Sequence, residues 1–154
     1  MAIRSACKAI VYHKGKVLLN AYRLPDGNIV YDFPGGGQHP YESLEEGVIR
    51  EVMEETGYQV RVERFCGLTE EIHKSEEARA KMPDYTHRVL HIFLVTLVSE
   101  TADEITELDQ NQTGSEWFVL EDIAKLPVRP NGIAPHIIEM VESKHPLYLP
   151  AFYV

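Results

Sequence analysis

The sequence predicts an α+β fold, and three observations carry that expectation. Short apolar, β-branched runs recur along the chain with the spacing of strands, one segment near residues 43–57 has the period and the end signals of an amphipathic helix, and 154 residues suit a single hydrophobic core. Hydrophobic residues make up 44% and charged residues 25%, an ordinary globular balance that argues against disorder. No repeat, low-complexity tract or linker marks a second unit, so one domain over residues 1–154 is expected.

The elements follow in order. "RSACKAIVYH" and "KVLLNAYR" flank "KGK" as a hairpin, and "NIVYDFPGGG" follows the turn residues Pro25 to Asn28 as another strand that ends in a glycine-rich bend. The helix begins with Ser43 as N-cap and Glu46 three residues on, and ends at Gly57, a natural left-handed cap. At 3.6 residues per turn, Leu44, Val48, Ile49, Val52 and Met53 share one half of it, while Glu51, Glu54 and Glu55 fall mostly on the other. Gly47, one turn before Glu51, leaves room either for the carboxylates or for a packing contact. "YQVRVERFCGL" alternates like a strand, "EEIHKSEEARAKMPDYT" reads as a charged, loop-like or partly helical insertion, and "HRVLHIFLVTLVSE" as a long buried strand. "SEWFVLEDIAKLP" suggests a short strand and a short helix, and "APHIIEMVESKH" a last helix with Pro135 in its first turn. The tail "LYLPAFYV" is too apolar to lie free in water and is expected to pack on its own domain, with a homodimer contact as the alternative.

Charge and cysteine content narrow the function. Lys and Arg total 15 against 24 Asp and Glu, and a net charge of −9 opposes attachment to nucleic acid or anionic lipid. The start is not built as a signal peptide, and the longest apolar stretch, 89–98, is too short for a membrane span, so a cytoplasmic protein without membrane partners is expected. Cys7 and Cys66 read as buried thiols rather than a redox or metal motif. His87 and His91 share a strand face but lack a third zinc ligand.

The helix poses the chemical question. Like charges three and four residues apart destabilise a helix by about 0.2–0.5 kcal/mol per pair, so Glu51, Glu54 and Glu55 make sense if a cation sits between them. A solvated acidic face is the bland alternative, but the glutamates have companions: Gly36, five residues, Glu42, seven residues, then Arg50-Glu51-Val52-Met53-Glu54-Glu55-Thr56-Gly57-Tyr58. This stretch resembles the signature box of the Nudix hydrolases, which cleave nucleoside diphosphates linked to another group. Tyr58, in place of an aliphatic residue, is the one departure.

The resemblance implies an α/β/α sandwich with a mixed central sheet and a loop–helix–loop that binds Mg²⁺ or Mn²⁺. It implies Glu51, Glu54 and Glu55 as metal ligands, with Glu51, Glu54 and Arg50 as the catalytic group, Arg50 orienting carboxylates through its guanidinium fork. Carboxylate oxygens are the ligands such hard cations prefer. Glu42 would pair with Arg50 or add a ligand. Gly35, Gly36 and Gly37 would let backbone approach phosphate, while Arg23 reads as a nucleotide neighbour or a surface salt bridge and Tyr31 and Phe33 as nucleotide neighbours or core aromatics. A further carboxylate from the stretch before Trp117 would assist, with Glu107, Asp109 and Glu116 as candidates. The partner implied is a small nucleotide derivative. A sensor that binds nucleotide without turnover is the alternative, and an allylic diphosphate isomerase would need a cysteine placed for reaction.

Overall fold

The computed structural model describes residues 2–154, and among these nine strands form one mixed sheet. β1 (Arg4–His13) and β2 (Lys16–Arg23) make the expected hairpin, closed by Lys14 and Gly15 at φ 48° and 79°, the left-handed pair that suits a two-residue turn. β3 (Ile29–Asp32) pairs with the end of β2. The glycine segment is not a bend: Gly35–Gly37 forms β4, antiparallel to the first half of β1. Without side chains, this backbone can lie closer to β1 than any other residue type allows; a Cβ on Gly35 would collide with the Cys7 carbonyl.

α1 (Leu44–Thr56) is followed by β5 (Val60–Ile72), which is longer than its alternating core suggested and takes in Glu70, Glu71 and Ile72 from the segment read as an insertion. The remaining insertion holds α2 (Glu76–Lys81) and a 3-10 turn, Pro83–Tyr85. β6 (His87–Leu97) is parallel to β1 and antiparallel to β5. β7 (Gln112–Val119) starts ahead of Ser115 and pairs with β2; the short helix after it, Leu120–Lys125, is 3-10. α3 (Ala134–Glu142) carries Pro135 in its first turn. The tail packs on the same chain: β8 (Leu147–Tyr148) and β9 (Phe152–Tyr153) extend the sheet beside β5, and Leu149 is buried.

The sandwich follows from period-two alternation in the central strands. Cys7, Ala9, Val11, Leu18, Phe93 and Val95 face α1, where they bury Val48 and Val52. Ala6, Ile10, Val17, Leu19, Leu90 and Ile92 face the other way, against Ile133, Ile137 and Met140 of α3 and Ile123 of the 3-10 helix. Each fully buried valine or isoleucine contributes about 1.5–3 kcal/mol, so α1 is pinned by its apolar half and its acidic half is left to face the glycine strand. Both cysteines are buried free thiols.

Candidate active site

The helix that carries the glutamates is fixed at both ends. Glu46 N donates to Ser43 Oγ (3.1 Å) and Ser43 N donates to Glu46 Oε2 (2.8 Å), the predicted reciprocal cap. Gly57 closes the helix at φ 75° with its N–H donating to Met53 O. The space at Gly47 serves the packing contact and Glu42 rather than the three helix glutamates, since a Cβ there would lie 2.8 Å from Glu42 Oε1 and 2.9 Å from Cys7 Sγ.

Arg50 organises the acidic face. Its Nε and Nη2 donate to the two oxygens of Glu42 (2.7 and 3.0 Å), its Nη1 to Glu51 (2.8 Å) and Glu54 (3.1 Å), and its Nη2 also to Gly37 O (3.2 Å). A planar fork satisfies this many acceptors in fixed directions, which an ammonium cannot. The fork holds the Glu42 carboxyl well below the usual carboxylate range. Burial raises that of Glu51, with Arg50 opposing. Gly36 is needed for the same close fit: a Cβ there would stand 2.6 Å from Glu51 Oε1.

Glu55 is set apart from the other two. It is buried, and its Oε2 accepts from Asn20 Nδ2 (2.8 Å) and Gly35 N (3.0 Å). Its Oε1 is buried with no hydrogen-bond partner among the described residues. Burial pushes this carboxyl up to about 8, opposed by Lys8 and the Gly35 N–H and assisted by Asp109 and Glu51. The helix thus presents two carboxylates gathered on Arg50 and a third held against the sheet. Among the described residues no three His, Cys, Asp or Glu side chains converge on one point.

A profile of the NUDIX domain matches residues 3–139. The chain belongs to the Nudix family. It is 31% identical over 110 residues to diphosphoinositol polyphosphate phosphohydrolase 3-alpha of Mus musculus, a match that covers 71% of this chain and 58% of that protein, so the chain spans little more than half the length of this relative. A NUDIX hydrolase from Nitrosomonas europaea has a similar fold, with a TM-score of 0.68 at 24% identity over 91% of this chain and 88% of the other. So does an ADP-ribose pyrophosphatase from Streptococcus suis, at 0.65 and 20% over 97% and 99%.

The Nudix helix carries donors of the type that a hard divalent cation prefers. All three glutamates supply oxygen, and the unpartnered Glu55 Oε1 is the kind of buried acceptor that protein structures seldom leave without a proton or an ion. His87 and His91 are otherwise engaged: His87 Nε2 pairs with Glu70 Oε1 (3.0 Å) and His91 Nδ1 with Ala6 O (3.2 Å).

The three later carboxylates separate clearly. Glu116 is opposite Leu19, and cross-strand partners share a face, so it lies on the α3 side of the sheet, away from Glu55. Glu107 approaches through its backbone, N–H to Glu54 O (3.1 Å). Asp109 is the one whose side chain reaches the site's surroundings, accepting from Tyr22 Oη (3.0 Å). Phe33 is core and Tyr31 packs edge-on against Phe118. Arg23 is exposed at the end of β2, in a separate cleft of about 370 Å³ with Leu24, Pro25, Asn111, Gln112 and Thr113.

Three residues around Glu55 escaped the reading of the sequence. Asn20 binds its carboxylate, Gln112 donates to its backbone carbonyl (3.3 Å), and the buried Lys8 donates to Gly35 O (3.2 Å) while pairing with Asp32 (3.5 Å). The signal was a lone amide in "VLLNAY" and a lone charge in "ACKAIV", polar residues at positions where alternation demands burial.

Proposed function

We propose that this Nudix protein is a divalent-metal-dependent hydrolase that cleaves the phosphoanhydride of a small nucleoside diphosphate derivative by attack of water on phosphorus. The observation that carries the proposal is the shared engagement of Glu51 and Glu54 by Arg50, one turn from a buried Glu55 with an unpartnered oxygen. Glu51, Glu54 and Glu55 would hold Mg²⁺ or Mn²⁺, which offsets phosphate charge and acidifies water when bound.

The chain's own residues do the rest. Arg50 keeps the Glu51 and Glu54 carboxylates at fixed directions, so no reorganisation is needed as charge develops. Glu54, with 29% of its side chain exposed against 13% for Glu51, is the carboxylate best placed to take a proton from an attacking water. Asp109 stands by as the later-loop carboxylate. Gly35, Gly36 and Gly37 bring backbone against the substrate phosphates, and Arg23 is assigned to its outer part. Anhydride cleavage also agrees with the names of the mouse phosphohydrolase and the streptococcal pyrophosphatase. We place the protein in the cytoplasm as one domain over 1–154, acting on a soluble anionic small molecule; no helix among the described residues is long and apolar enough to cross a membrane.

A screen of nucleoside diphosphate and triphosphate derivatives, ADP-ribose and diphosphoinositol polyphosphates with Mg²⁺ or Mn²⁺, with products identified by mass, tests the proposal. Turnover is expected for at least one compound and is lost in Glu54→Gln with the fold retained. Binding without turnover across the panel would replace the enzyme by a nucleotide sensor on the same fold.

A further inference from the structure

Beside Glu51 a cleft of about 400 Å³ opens between the glycine strand, the start of β1 and the insertion that follows β5. Arg4, Gly37, Gln38, His39, Glu51 and Asp84 line it. The Arg4 guanidinium occupies the space that a side chain on Gly37 would fill. Its other support is Tyr85, whose ring centroid lies 4.3 Å from Arg4 Cζ. The planar group thus lies between the side-chain-free backbone of Gly37 and an aromatic face.

Among the described residues the Arg4 guanidinium forms no ion pair and no hydrogen bond. That is unusual in a chain with 24 acidic residues against 15 basic ones, where a half-buried arginine has an excess of possible partners. Arginine donates five N–H groups in a plane, and stacking on Tyr85 leaves the edge of that plane unused. A guanidinium held this way is preorganised for an anion with two oxygens, and phosphoryl oxygens fit it as a pair. Glu51 and Asp84 border the same cleft and repel anions, so an anion is accepted at the Arg4 end and not throughout.

We propose that Arg4 is a substrate-binding residue that grips a phosphoryl group lying beyond the bond to be cleaved, and that Tyr85 holds its guanidinium in position. The insertion between β5 and β6, otherwise a charged surface segment, thereby becomes a wall of the site. The preferred substrate carries a phosphoryl group on that side, as well as the anhydride over α1. This inference rests on the hydrolase proposal for its meaning but is tested by binding alone.

The probe is methylenediphosphonate, a diphosphate whose bridge cannot hydrolyse, titrated calorimetrically in Mg²⁺ into the full chain. Arg4→Gln is expected to weaken binding about 10- to 100-fold, the loss of one bidentate charge-assisted contact, and Arg4→Lys to weaken it less. Tyr85→Leu weakens binding several-fold, whereas Tyr85→Phe, which keeps the ring, binds as the parent does. Unchanged affinity in Arg4→Gln overturns the proposal, as does no binding by the parent at millimolar probe. Should Arg4→Gln fail to fold, equal binding by Tyr85→Leu and Tyr85→Phe overturns it. Because nothing turns over, failure of every substrate in the activity screen leaves this test intact, and an active enzyme indifferent to Arg4→Gln would lose only the Arg4 assignment.

Discussion

Replacing Arg50 by lysine keeps the charge and removes the fork. Arg50 makes five hydrogen bonds, two to Glu42 and one each to Glu51, Glu54 and Gly37 O. A lysine ammonium has three donors at a single point, so at least two of these bonds are lost whichever carboxylates it chooses. A hydrogen bond to a charged group contributes about 1.5–3 kcal/mol, and the lower end applies here because solvent reaches all three carboxylates. The Arg50, Glu42, Glu51 and Glu54 side chains are 22, 13, 13 and 29% exposed. The expected cost is about 3 kcal/mol, which for a domain of this size lowers the melting temperature by about 6–12 °C. Activity is expected to fall by about 100-fold, since Glu51 and Glu54 lose their common reference point and a misplacement of about 1 Å can cost that much. Thermal melts in EDTA and kcat/KM in Mg²⁺ on the same preparation check both numbers. A variant that melts within a degree or so of the parent and keeps at least half its activity would refute Arg50 as the organiser of the acidic face.

Three further outcomes are expected. Glu55 is raised to about 8 in the folded chain by burial, so its contribution to stability is fully present below the unfolded carboxyl range and is lost as pH rises through about 8; in EDTA the protein should melt lower with rising pH over that window, Mg²⁺ affinity should strengthen over the same window as the proton leaves, and Glu55→Gln should flatten both trends in melting and calorimetric titrations. Tyr41 is fully exposed at φ 67°, a left-handed conformation that costs an L-residue about 1–2 kcal/mol, and Tyr41→Gly should raise stability by about 0.5–1 kcal/mol in urea titrations after the extra backbone entropy of glycine is subtracted. Arg64 Nη2 donates to Met140 O (2.7 Å) and Val141 O (3.0 Å) at the end of α3, and Arg64→Met should cost about 1–3 kcal/mol by leaving those carbonyls without their cap, again read from chemical unfolding.

The parts of the site that could be read from the chain are those whose geometry is local. The reciprocal cap at Ser43 and Glu46, the stop at Gly57 and the division of α1 into an apolar and an acidic half all arise within a few residues, where helix geometry converts spacing directly into position. Glu42 and Arg50 are eight residues apart, and the sequence leaves Glu42 between pairing with Arg50 and adding a ligand; the structure shows the pair. Three glycines in a row signal a turn, whereas β1 supplies a partner that makes an unencumbered strand of them. Charge hides the end of β5: Glu70 and Glu71 look like loop residues until their carboxylates are found bonded to His87 and Arg88 of β6.

The sequence by itself determined that a Nudix helix is present, that its acidic half carries Glu51, Glu54 and Glu55, and that Arg50 stands among them, because a helix maps sequence distance onto space through one fixed period. Tertiary structure alone decided that Glu55 differs from its neighbours, that Asp109 rather than Glu116 borders the site, and that Arg4 rests on Tyr85. Those facts depend on Asn20 and Gly35 reaching the Glu55 carboxylate and Gln112 its backbone carbonyl from three strands, on which face of the sheet each later residue takes, and on contacts that cross about half of the chain. Strand register and loop path are set by the packing of the whole core, and no local spacing records them.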